Sequence, residues 1–581
     1  MTEGEASAWL AEGADEVIDT SCAHVFLRGK VALKVKRPVD FGFLDFSTLE
    51  KRRWALEREL KFNKATAPDI YRALRRVTRT AGGGLELDGP GETVDFALEM
   101  RRFDPKAVLS EQPQALTGDL ADTLGRTIAR AHITARVNPQ GGGVKALGYT
   151  IRTNSEHLRA LADRLGPDAV ERVVTGTDAA FAALGPLLEA RRAAGFARQS
   201  HGDLHLGNIL LEDGRPIPFD CIEFNDLLSE IDTLYDLAFL IMDLCFRDRA
   251  DAANRVLNAY LDEAARGMPE GLLAGLAALP LMLSARASVR AHVAAYQGEV
   301  ALARAYLAAA EAHLNPAPPV LMALGGVSGT GKTTLARRVA PRIGAAPGAV
   351  ILRSDEVRKR LLGFGPTQAA PTGAYSREDM RKPYDVMLEE AEIALKAGRS
   401  VILDATYLDP ANRTAAQALA ARLGIAFDGV WLTAPQALLE ARVAARRGDA
   451  SDATVRCCAG NWRATWVRSP GDRSTPRKRA RRRTVSAPHR RVIDAARPRP
   501  PWFLGYWVFK DANWENAHAR ADARLAADGR QVPDPCRPVA RPPRGRQPLG
   551  RRPDRAHDLR RDPGPGQAAV ERPAGDGREA R

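Results

Sequence analysis

Two short β-type runs of apolar residues lie near the start of the chain, HVFLRGKVALKVKRP at 24–38 and ETVDFALEM at 92–100. Both predict strands, whereas the stretch at 47–64 between them has a helical pattern. From 115 to 314, alanine and leucine recur three and four residues apart, which predicts a mostly helical region. A polar segment at 201–226 interrupts these helices, so the first half of the chain is predicted to be α+β.

The pattern changes after the run NPAPPV at 315–320, whose prolines predict a linker. The next run, VLMALGGVSGTGKTTLARRVA, has the pattern of an apolar strand, a glycine loop and an amphipathic helix. Further strands are predicted near residues 350, 400 and 428, with helices between them, and this alternation predicts a parallel sheet. The chain is thus predicted to hold an α+β domain at 1–314 and an α/β domain at 321–455.

The polar segment HGDLHLGNILLEDGRPIPFDCIEFND, residues 201–226, contains two apolar runs joined by the turn EDGR. Asp-Gly is a strong hairpin signal, and pairing about it places Phe219 opposite Asn208. Asn208 and Asp220 then lie side by side, as two oxygen ligands suited to Mg²⁺. Asp203 lies five residues before Asn208, within reach of a hydroxyl that attacks a phosphate. The segment therefore predicts a phosphoryl-transfer site with Asp203 as its catalytic residue.

The motif HGDLHLGN followed by IPFD resembles the catalytic loop and metal-binding aspartate of the aminoglycoside phosphotransferase and choline kinase group, relatives of the protein kinases. The resemblance covers roughly residues 20 to 310 and implies a protein-kinase-like fold. It implies that Lys34, in VALK, binds the α and β phosphates of ATP. A partner glutamate is expected on the next helix, where Glu57 and Glu59 are both candidates and Glu59 is preferred. The run LEMRRF at 98–103 is similar to the hinge that receives adenine.

The same resemblance implies that Asp236 supports the catalytic loop, but the chain departs from the kinase pattern at the phosphate-covering loop. No GxGxxG precedes Lys34, so that loop is either degenerate or formed by TSCAHVF at 20–26. Lys34 also has a second interpretation, because VALKVKRP is typical of an exposed strand edge whose lysines extend to water. His201 is expected to hydrogen-bond the loop backbone, and His205 is expected to face solvent.

The run GVSGTGKT at 326–333 matches the GxxxxGK[ST] phosphate-binding loop and lies between a predicted strand and a predicted helix. In such a loop the backbone N–H groups and the helix N-terminus hold phosphate. Lys332 is expected to reach the β and γ phosphates, and Thr333 is expected to bind Mg²⁺. The nucleotide-binding residues predicted in this loop are Gly326, Gly329, Gly331, Lys332, Thr333 and Thr334.

The segments after this loop indicate a kinase of small molecules. Asp355 is predicted to end a strand and to act on a substrate hydroxyl. Arg358 and Lys359, one helical turn further, are suited to an anionic group of the substrate. Asp404 ends the next predicted strand, in the position of a metal-supporting acid.

A cluster of arginines follows on the last predicted helix of this domain. Arg442 and Arg446 are four residues apart on one helix face, and Arg447 follows them. They are predicted to bind nucleotide phosphate as part of a lid, and a solvated helix face is the alternative. Together the motifs resemble the small P-loop kinases of the gluconate kinase, polynucleotide kinase and zeta toxin type. The whole layout resembles a bacterial fusion of an aminoglycoside-phosphotransferase-like domain with such a P-loop domain.

The formal charge of +14 comes from the end of the chain, since residues 456–581 carry 30 basic and 13 acidic side chains. Arginine and proline are scattered through this tail without a period, which predicts disorder rather than a nucleic-acid partner. An aromatic island at 501–509 is the exception, because it is typical of a buried strand. The helical pattern breaks near residue 455, and reading one base earlier permits an amphipathic sequence, so a changed reading frame is a second hypothesis for the tail.

Three features predict a cytoplasmic chain without membrane contacts: cysteines without a disulfide framework, no apolar run of about 20 residues, and no basic leader before an apolar stretch. The predicted function is transfer of the γ-phosphate of ATP, with Mg²⁺, to a hydroxyl group of a small molecule, at two nucleotide sites. The alternatives are a nucleotide-binding regulator without transfer activity and nucleic-acid binding through the tail.

Overall fold

The structure is a computed structural model, and it describes residues 4–42, 44–365, 368, 377–445 and 450–451, with the backbone of Phe503–Leu504. Two predicted lid residues, Arg446 and Arg447, lie outside the described residues. So does the predicted tail at 456–581, except for Phe503 and Leu504. Within the described ranges, no helix is long and apolar enough to cross a membrane.

A six-stranded antiparallel sheet with two helices packed on it forms the first part of the N-terminal domain. Its elements are α1 (Glu5–Glu12), β1 (Glu16–Asp19), β2 (Ala23–Arg28), β3 (Val31–Lys36), α2 (Leu49–Asn63), β4 (Tyr71–Arg79), β5 (Leu85–Leu87) and β6 (Thr93–Arg101). The strand order is β1-β2-β3-β6-β4-β5, so β3 lies inside the sheet. Helix α2 begins where the Thr48 hydroxyl accepts a hydrogen bond from Lys51 N, as an N-cap residue does.

The sequence pattern predicted β2, β3, α2 and β6 but not α1, β1, β4 or β5. Strand β4 holds four arginines among nine residues, so its apolar alternation is weak. Its place in the sheet depends instead on partners across the strands. Arg75 Nε, for example, donates a hydrogen bond to Glu99 Oε2 of β6 at 2.7 Å.

Helices around one apolar core form the rest of the N-terminal domain. The elements are α3 (Gly118–Thr134), α4 (Gly143–Ala160), α5 (Ala162–Leu165), α6 (Pro167–Ala193), β7 (Ala197–Gln199), β8 (Ile209–Glu212), β9 (Arg215–Pro218), α7 (Asp226–Ser229), β10 (Glu230–Asp232), α8 (Thr233–Phe246), α9 (Ala250–Ala264), α10 (Leu279–Tyr296) and α11 (Val300–Leu314). Helix α8 is buried on every side from Thr233 to Leu244, so it forms the centre of this core.

Strands β8 and β9 form the predicted hairpin, with Ile209 opposite Pro218. The next pair in register is Asn208 and Phe219, and Phe219 N donates a hydrogen bond to Asn208 O at 3.0 Å. The predicted register is therefore confirmed. The hairpin places the loop before β8 beside the segment after β9.

A five-stranded parallel sheet organises the second domain, as the alternation of strands and helices predicted. Its elements are β11 (Val320–Gly325), α12 (Lys332–Val339), β12 (Val350–Arg353), α13 (Ser354–Leu361), α14 (Arg377–Lys396), β13 (Val401–Asp404), α15 (Pro410–Leu423), β14 (Ala426–Trp431), α16 (Gln436–Ala445) and β15 (Phe503–Leu504). The strand order is β12-β13-β11-β14-β15. The pairing of Phe503 and Leu504 with β14 agrees with a strand in the aromatic island.

Two boundaries differ from the sequence prediction. Strand β11 begins at Val320, inside the run that predicted a linker. Strand β12 ends at Arg353 and α13 begins at Ser354, so Asp355 lies in the first turn of a helix and not at the end of a strand. An acidic residue is favourable there because the N-terminus of a helix carries partial positive charge.

The two domains contact each other along α9 and the outer edge of β12. Asn258 Oδ1 accepts a hydrogen bond from Ile351 N at 2.7 Å, and Asn254 Nδ2 donates one to Ala349 O at 3.0 Å. A cavity of about 390 Å³ lies beside this contact, and none of the predicted catalytic residues lines it. The cavity lining includes Arg353 and Glu356, on either side of Asp355 in sequence, so the contact between the domains lies beside the second predicted site.

Candidate active sites

The first site forms where β3, α2 and the segment after β9 meet. Lys34 Nζ lies 2.8 Å from Glu59 Oε1 on α2 and 2.8 Å from Asp220 Oδ1. Of the two candidate glutamates, the structure places Glu59 at the lysine, whereas Glu57 is exposed and pairs with Arg53. Burial lowers the pKa of Lys34, but Asp220 and Glu59 outweigh it and raise that pKa well above its ordinary value. Lys34 is therefore a mostly buried cation held between two carboxylates.

Asp203 and Asn208 lie in the loop before β8, and the hairpin pairs Asn208 with Phe219, the residue before Asp220. Asn208 Nδ2 donates hydrogen bonds to Asp203 O and to Asp203 Oδ2, both at 2.9 Å. Burial opposes ionisation of Asp203, but His205, His201 and Arg286 outweigh it and hold its pKa well below the usual range. Asp203 is thus an oriented carboxylate that stays ionised near neutral pH.

Asp236 on α8 supports the loop that carries Asp203 by accepting hydrogen bonds from its backbone. This fully buried carboxylate accepts hydrogen bonds from His201 N at 3.0 Å and from Gly202 N at 2.8 Å. His132 Nε2 lies 3.0 Å from the same carboxylate. His201 in turn hydrogen-bonds Phe219 O at 2.8 Å, as its predicted role requires. The backbone before Asp203 is therefore fixed by buried groups.

One alternative interpretation and one expectation for this site were wrong. The lysines of β3 do not form an exposed strand edge, because Lys36 is buried and Lys34 is mostly buried. His205 does not face solvent: its ring packs edge-on against Phe239, and its Nε2 lies 3.4 Å from Asp203 Oδ2. Both errors arise because the burying groups are remote in sequence.

The structure also brings groups to this site that the motifs did not indicate. Lys36 Nζ lies 2.7 Å from Glu59 Oε2 and 2.6 Å from Glu223 Oε1. Tyr71 on β4 accepts a hydrogen bond from Asp220 N at 3.0 Å. The only local signal for Lys36 was its spacing of two residues from Lys34, which puts both side chains on one face of β3.

Asn208 and Asp220 present oxygen atoms suited to a hard cation. Because Asn208 Nδ2 donates to Asp203, its Oδ1 is the atom available to a metal. The Asp220 carboxylate is 46% exposed, so it is open to the cleft as well as to Lys34. Among the described residues there is no cluster of three or more His, Cys, Asp or Glu suited to a metal ion. A Mg²⁺ ion here would therefore take its remaining ligands from phosphate and water.

The second site is the glycine loop between β11 and α12. Gly326 has a φ of 137°, and a Cβ atom there would lie 2.5 Å from Leu432 O. Gly329 has a φ of 90°, and its Cβ would lie 3.0 Å from Leu439 O. Only glycine fits these two positions, because other residues would be strained and would collide with backbone. The loop therefore packs directly against the backbone after β14 and of α16.

Side chains of this loop already make the contacts expected near a phosphate. Lys332 Nζ donates to Gly326 O at 2.8 Å, so the lysine lies across the loop. Thr333 Oγ1 donates to Asp404 Oδ2 at 2.6 Å. Asp404 ends β13, whose neighbour in the sheet is β11, so both groups lie at the carboxyl edge where parallel sheets bind ligands. Thr333 and Asp404 thus lie together at this edge of the sheet, and their predicted role in binding a metal stays a prediction.

The remaining predicted residues of the second site lie around this loop. Thr334 is exposed in the first turn of α12. Arg442 of α16 approaches the loop, with its Nη1 3.9 Å from where a Cβ atom on Gly331 would be. Asp355 receives a hydrogen bond from Arg358 Nη2. Arg446 lies outside the described residues, so its predicted role in the lid stays a prediction.

One further charged group at the second site was not predicted. Arg353, the last residue of β12, has its Nε 3.5 Å from Asp404 Oδ2. Its Nη1 donates to Glu356 Oε1 at 2.8 Å. Arg353 is therefore placed to orient Asp404 toward Thr333.

Solved structures similar to parts of this chain are kinases of small molecules by their titles. An ethanolamine kinase from Plasmodium vivax is 10% identical, with a TM-score of 0.34, and the match covers 51% of this chain and 81% of that chain. A choline/ethanolamine kinase family protein from Mesorhizobium loti is 15% identical, with a TM-score of 0.32, over 54% of this chain and 99% of that chain. TM-scores of this size decide neither substrate nor mechanism.

Family models and full-length relatives match the chain more specifically. A model described as a phosphotransferase enzyme family matches residues 48–272, and a model described as an AAA domain matches residues 321–459. Uncharacterized proteins of Mycobacterium tuberculosis and Mycobacterium bovis are each 33% identical over 461 residues, covering 76% of this chain and 89% of the relative. The chain therefore belongs to the family of these mycobacterial proteins, with a kinase-like phosphotransferase domain followed by a P-loop domain of the AAA type.

Proposed function

We propose that this chain is an ATP-dependent phosphotransferase with two nucleotide sites, each of which transfers the γ-phosphate to a hydroxyl group of a small molecule. The observation that carries the proposal is the first site. Lys34 Nζ lies 2.8 Å from both Glu59 and Asp220, and the hairpin brings the Asp203–Asn208 pair beside the Asp220 segment by pairing Asn208 with Phe219. These are the groups that phosphoryl transfer needs: a cation for phosphate, oxygen ligands for a metal and a carboxylate for the acceptor.

In this proposal Asp203 orients the acceptor hydroxyl and takes its proton as the oxygen forms a bond to the γ-phosphorus. The bond from the γ-phosphorus to the β–γ bridging oxygen breaks, and ADP leaves. Lys34 binds the phosphates, and Glu59 keeps the lysine directed into the cleft. Asn208 and Asp220 would hold Mg²⁺, which when bound neutralises phosphate charge. Asp203 is ionised for this role, because His205 and its neighbours hold its pKa low.

The second site is proposed to act in the same class of reaction. Lys332 would bind the β and γ phosphates, and Thr333 with Asp404 would hold Mg²⁺. Asp355, in the first turn of α13, is proposed to orient the acceptor, while Arg442 binds phosphate from α16. The shared chemistry of both sites favours a hydroxyl acceptor at each.

The test is transfer of labelled γ-phosphate from ATP into a bacterial metabolite extract by the full chain, with Asp203→Asn and Lys332→Ala as variants. Matched controls are Asp213→Asn, in the exposed hairpin turn, and Lys396→Ala, on the surface of α14. A product lost only with Asp203→Asn assigns transfer to the first site, and one lost only with Lys332→Ala assigns it to the second. If ATP binds but no labelled product forms, the proposal fails and the regulator without transfer activity replaces it.

A further inference from the structure

A second lysine lies beside the nucleotide-binding lysine of the first site. Lys36 is two residues beyond Lys34 on β3, and its side chain is 3% exposed. Its Nζ lies 2.7 Å from Glu59 Oε2, while Lys34 Nζ lies 2.8 Å from Glu59 Oε1. Each carboxylate oxygen of the buried Glu59 therefore contacts a different lysine. Glu59 is held in place from both sides.

Lys36 also contacts the segment that carries Asp220. Its Nζ lies 2.6 Å from Oε1 of Glu223, which is three residues after Asp220 and also buried. Asp220 has a φ of 59°, a left-handed conformation that persists in a non-glycine residue only when the surroundings impose it. Those surroundings include Tyr71, which accepts from Asp220 N at 3.0 Å, so this segment is fixed at its start by β4 and at its end by Lys36.

The charges of this cluster depend on the second lysine. Lys34 and Lys36 face three carboxylates, those of Glu59, Asp220 and Glu223. Without Lys36, a single lysine would face all three. Burial already raises the pKa of Glu223, while Lys36 lowers it, so loss of Lys36 would favour a protonated Glu223 that no longer anchors the segment. Lys36 thus keeps both the charge and the position of the Asp220 segment.

We propose that Lys36 and Glu223 are positioning residues of the first nucleotide site, and that their ion pair sets its affinity for a metal–ATP complex. The pair holds Glu59 and the Asp220 segment in the arrangement in which both meet Lys34. This inference rests on the proposed function of that site. Neither residue touches the reacting atoms, so each acts through Asp220 and Glu59.

The test measures binding of ATP with Mn²⁺, as a spectroscopic probe in place of Mg²⁺, by electron paramagnetic resonance. Every protein tested is the full chain carrying Lys332→Ala, so that Mn²⁺–ATP binding is measured at the first site alone. The variants are Lys36→Met, Glu223→Gln and the two together, and the control is Lys51→Met, an exposed lysine on α2 that pairs with Asp45.

Each single variant is expected to weaken Mn²⁺–ATP binding by about tenfold or more, because partners that orient metal ligands have effects of that size. Each is also expected to lower the melting temperature. The double variant removes both charges of the Lys36–Glu223 pair but leaves Glu59 without Lys36, so its melting temperature recovers in part while its affinity stays low. If the Lys36–Glu223 pair were only structural, the double variant would recover its affinity for Mn²⁺–ATP together with its melting temperature.

Two results would overturn the inference alone: affinity in Lys36→Met equal to that in Lys51→Met, or recovery of affinity in the double variant. Absence of Mn²⁺–ATP binding in the Lys332→Ala parent would overturn the proposed function of the first site and the inference with it. The parent therefore distinguishes the two failures.

Discussion

Asp236→Asn is expected to destabilise the N-terminal domain and to displace its catalytic loop. The carboxylate is 0% exposed and accepts hydrogen bonds from His201 N and Gly202 N, with His132 Nε2 as a third partner. A hydrogen bond to a charged group contributes about 1.5–3 kcal/mol, and a buried N–H left without an acceptor costs about 1–3 kcal/mol more. Asparagine has only one acceptor oxygen, so at least one of the two loop N–H groups loses its partner.

The free energy of unfolding of Asp236→Asn should therefore fall by about 3 kcal/mol or more. Because Gly202 and His201 directly precede Asp203, transfer at the first site should fall by about a hundredfold, the effect expected from a displacement of about 1 Å. Urea unfolding followed by circular dichroism measures the first quantity, and labelled phosphate transfer measures the second. Asp251→Asn, at an exposed carboxylate that pairs with Arg249, is the matched control.

The same change has a defined dependence on pH. Burial raises the pKa of Asp236, but hydrogen bonding and charge from His132, with His201 and Arg286, outweigh it and lower that pKa. A lowered pKa contributes stability above the ordinary aspartate value of about 3.9 and loses it as the pH falls through the folded-state value. The stability difference between wild type and Asp236→Asn should thus shrink in acid. An unfolding free energy within about 0.5 kcal/mol of wild type at pH 7 would refute this reasoning.

Three further expectations follow from single contacts. Thr333→Val removes the hydroxyl bonded to Asp404 and should weaken Mg²⁺-dependent nucleotide binding at the second site about tenfold; equal binding in a nucleotide titration would contradict that role. Arg191→Met breaks a buried pair with Asp232, at 2.7 and 2.8 Å, and should cost about 3–5 kcal/mol in urea unfolding, unlike an exposed arginine such as Arg215. His205→Gln removes the largest charge that lowers the pKa of Asp203, so the acid limb of the activity profile should move to higher pH, and superimposable profiles would disprove the link.

Local patterns were sufficient for much of this fold. Short apolar β-type runs predicted β2, β3 and β6, and the Asp-Gly turn predicted the β8–β9 hairpin with its register. The βα alternation predicted the parallel sheet of the second domain. These signals lie within single elements or between neighbours in the chain, so they are visible in sequence.

The rest depends on contacts between residues far apart in the chain. Glu223 meets Lys36 across 187 positions, and no local pattern distinguishes a buried lysine from an exposed one. His205 is covered by Phe239 of α8, which the loop sequence does not show. Asp355 was assigned to the wrong element because the β12–α13 boundary depends on where the strand pairing with β13 ends.

Strand β12 is an edge strand, and its free side is covered by asparagine side chains from the other domain. Asn258 accepts from Ile351 N, and Asn254 donates to Ala349 O. An uncovered edge offers unpaired N–H and C=O groups to any other strand, including that of a second molecule. A fragment that begins at residue 315 would lose this cover, so it should aggregate by strand addition where the whole chain does not. In the whole chain, the N-terminal domain would thus protect this edge of the sheet from pairing with another strand.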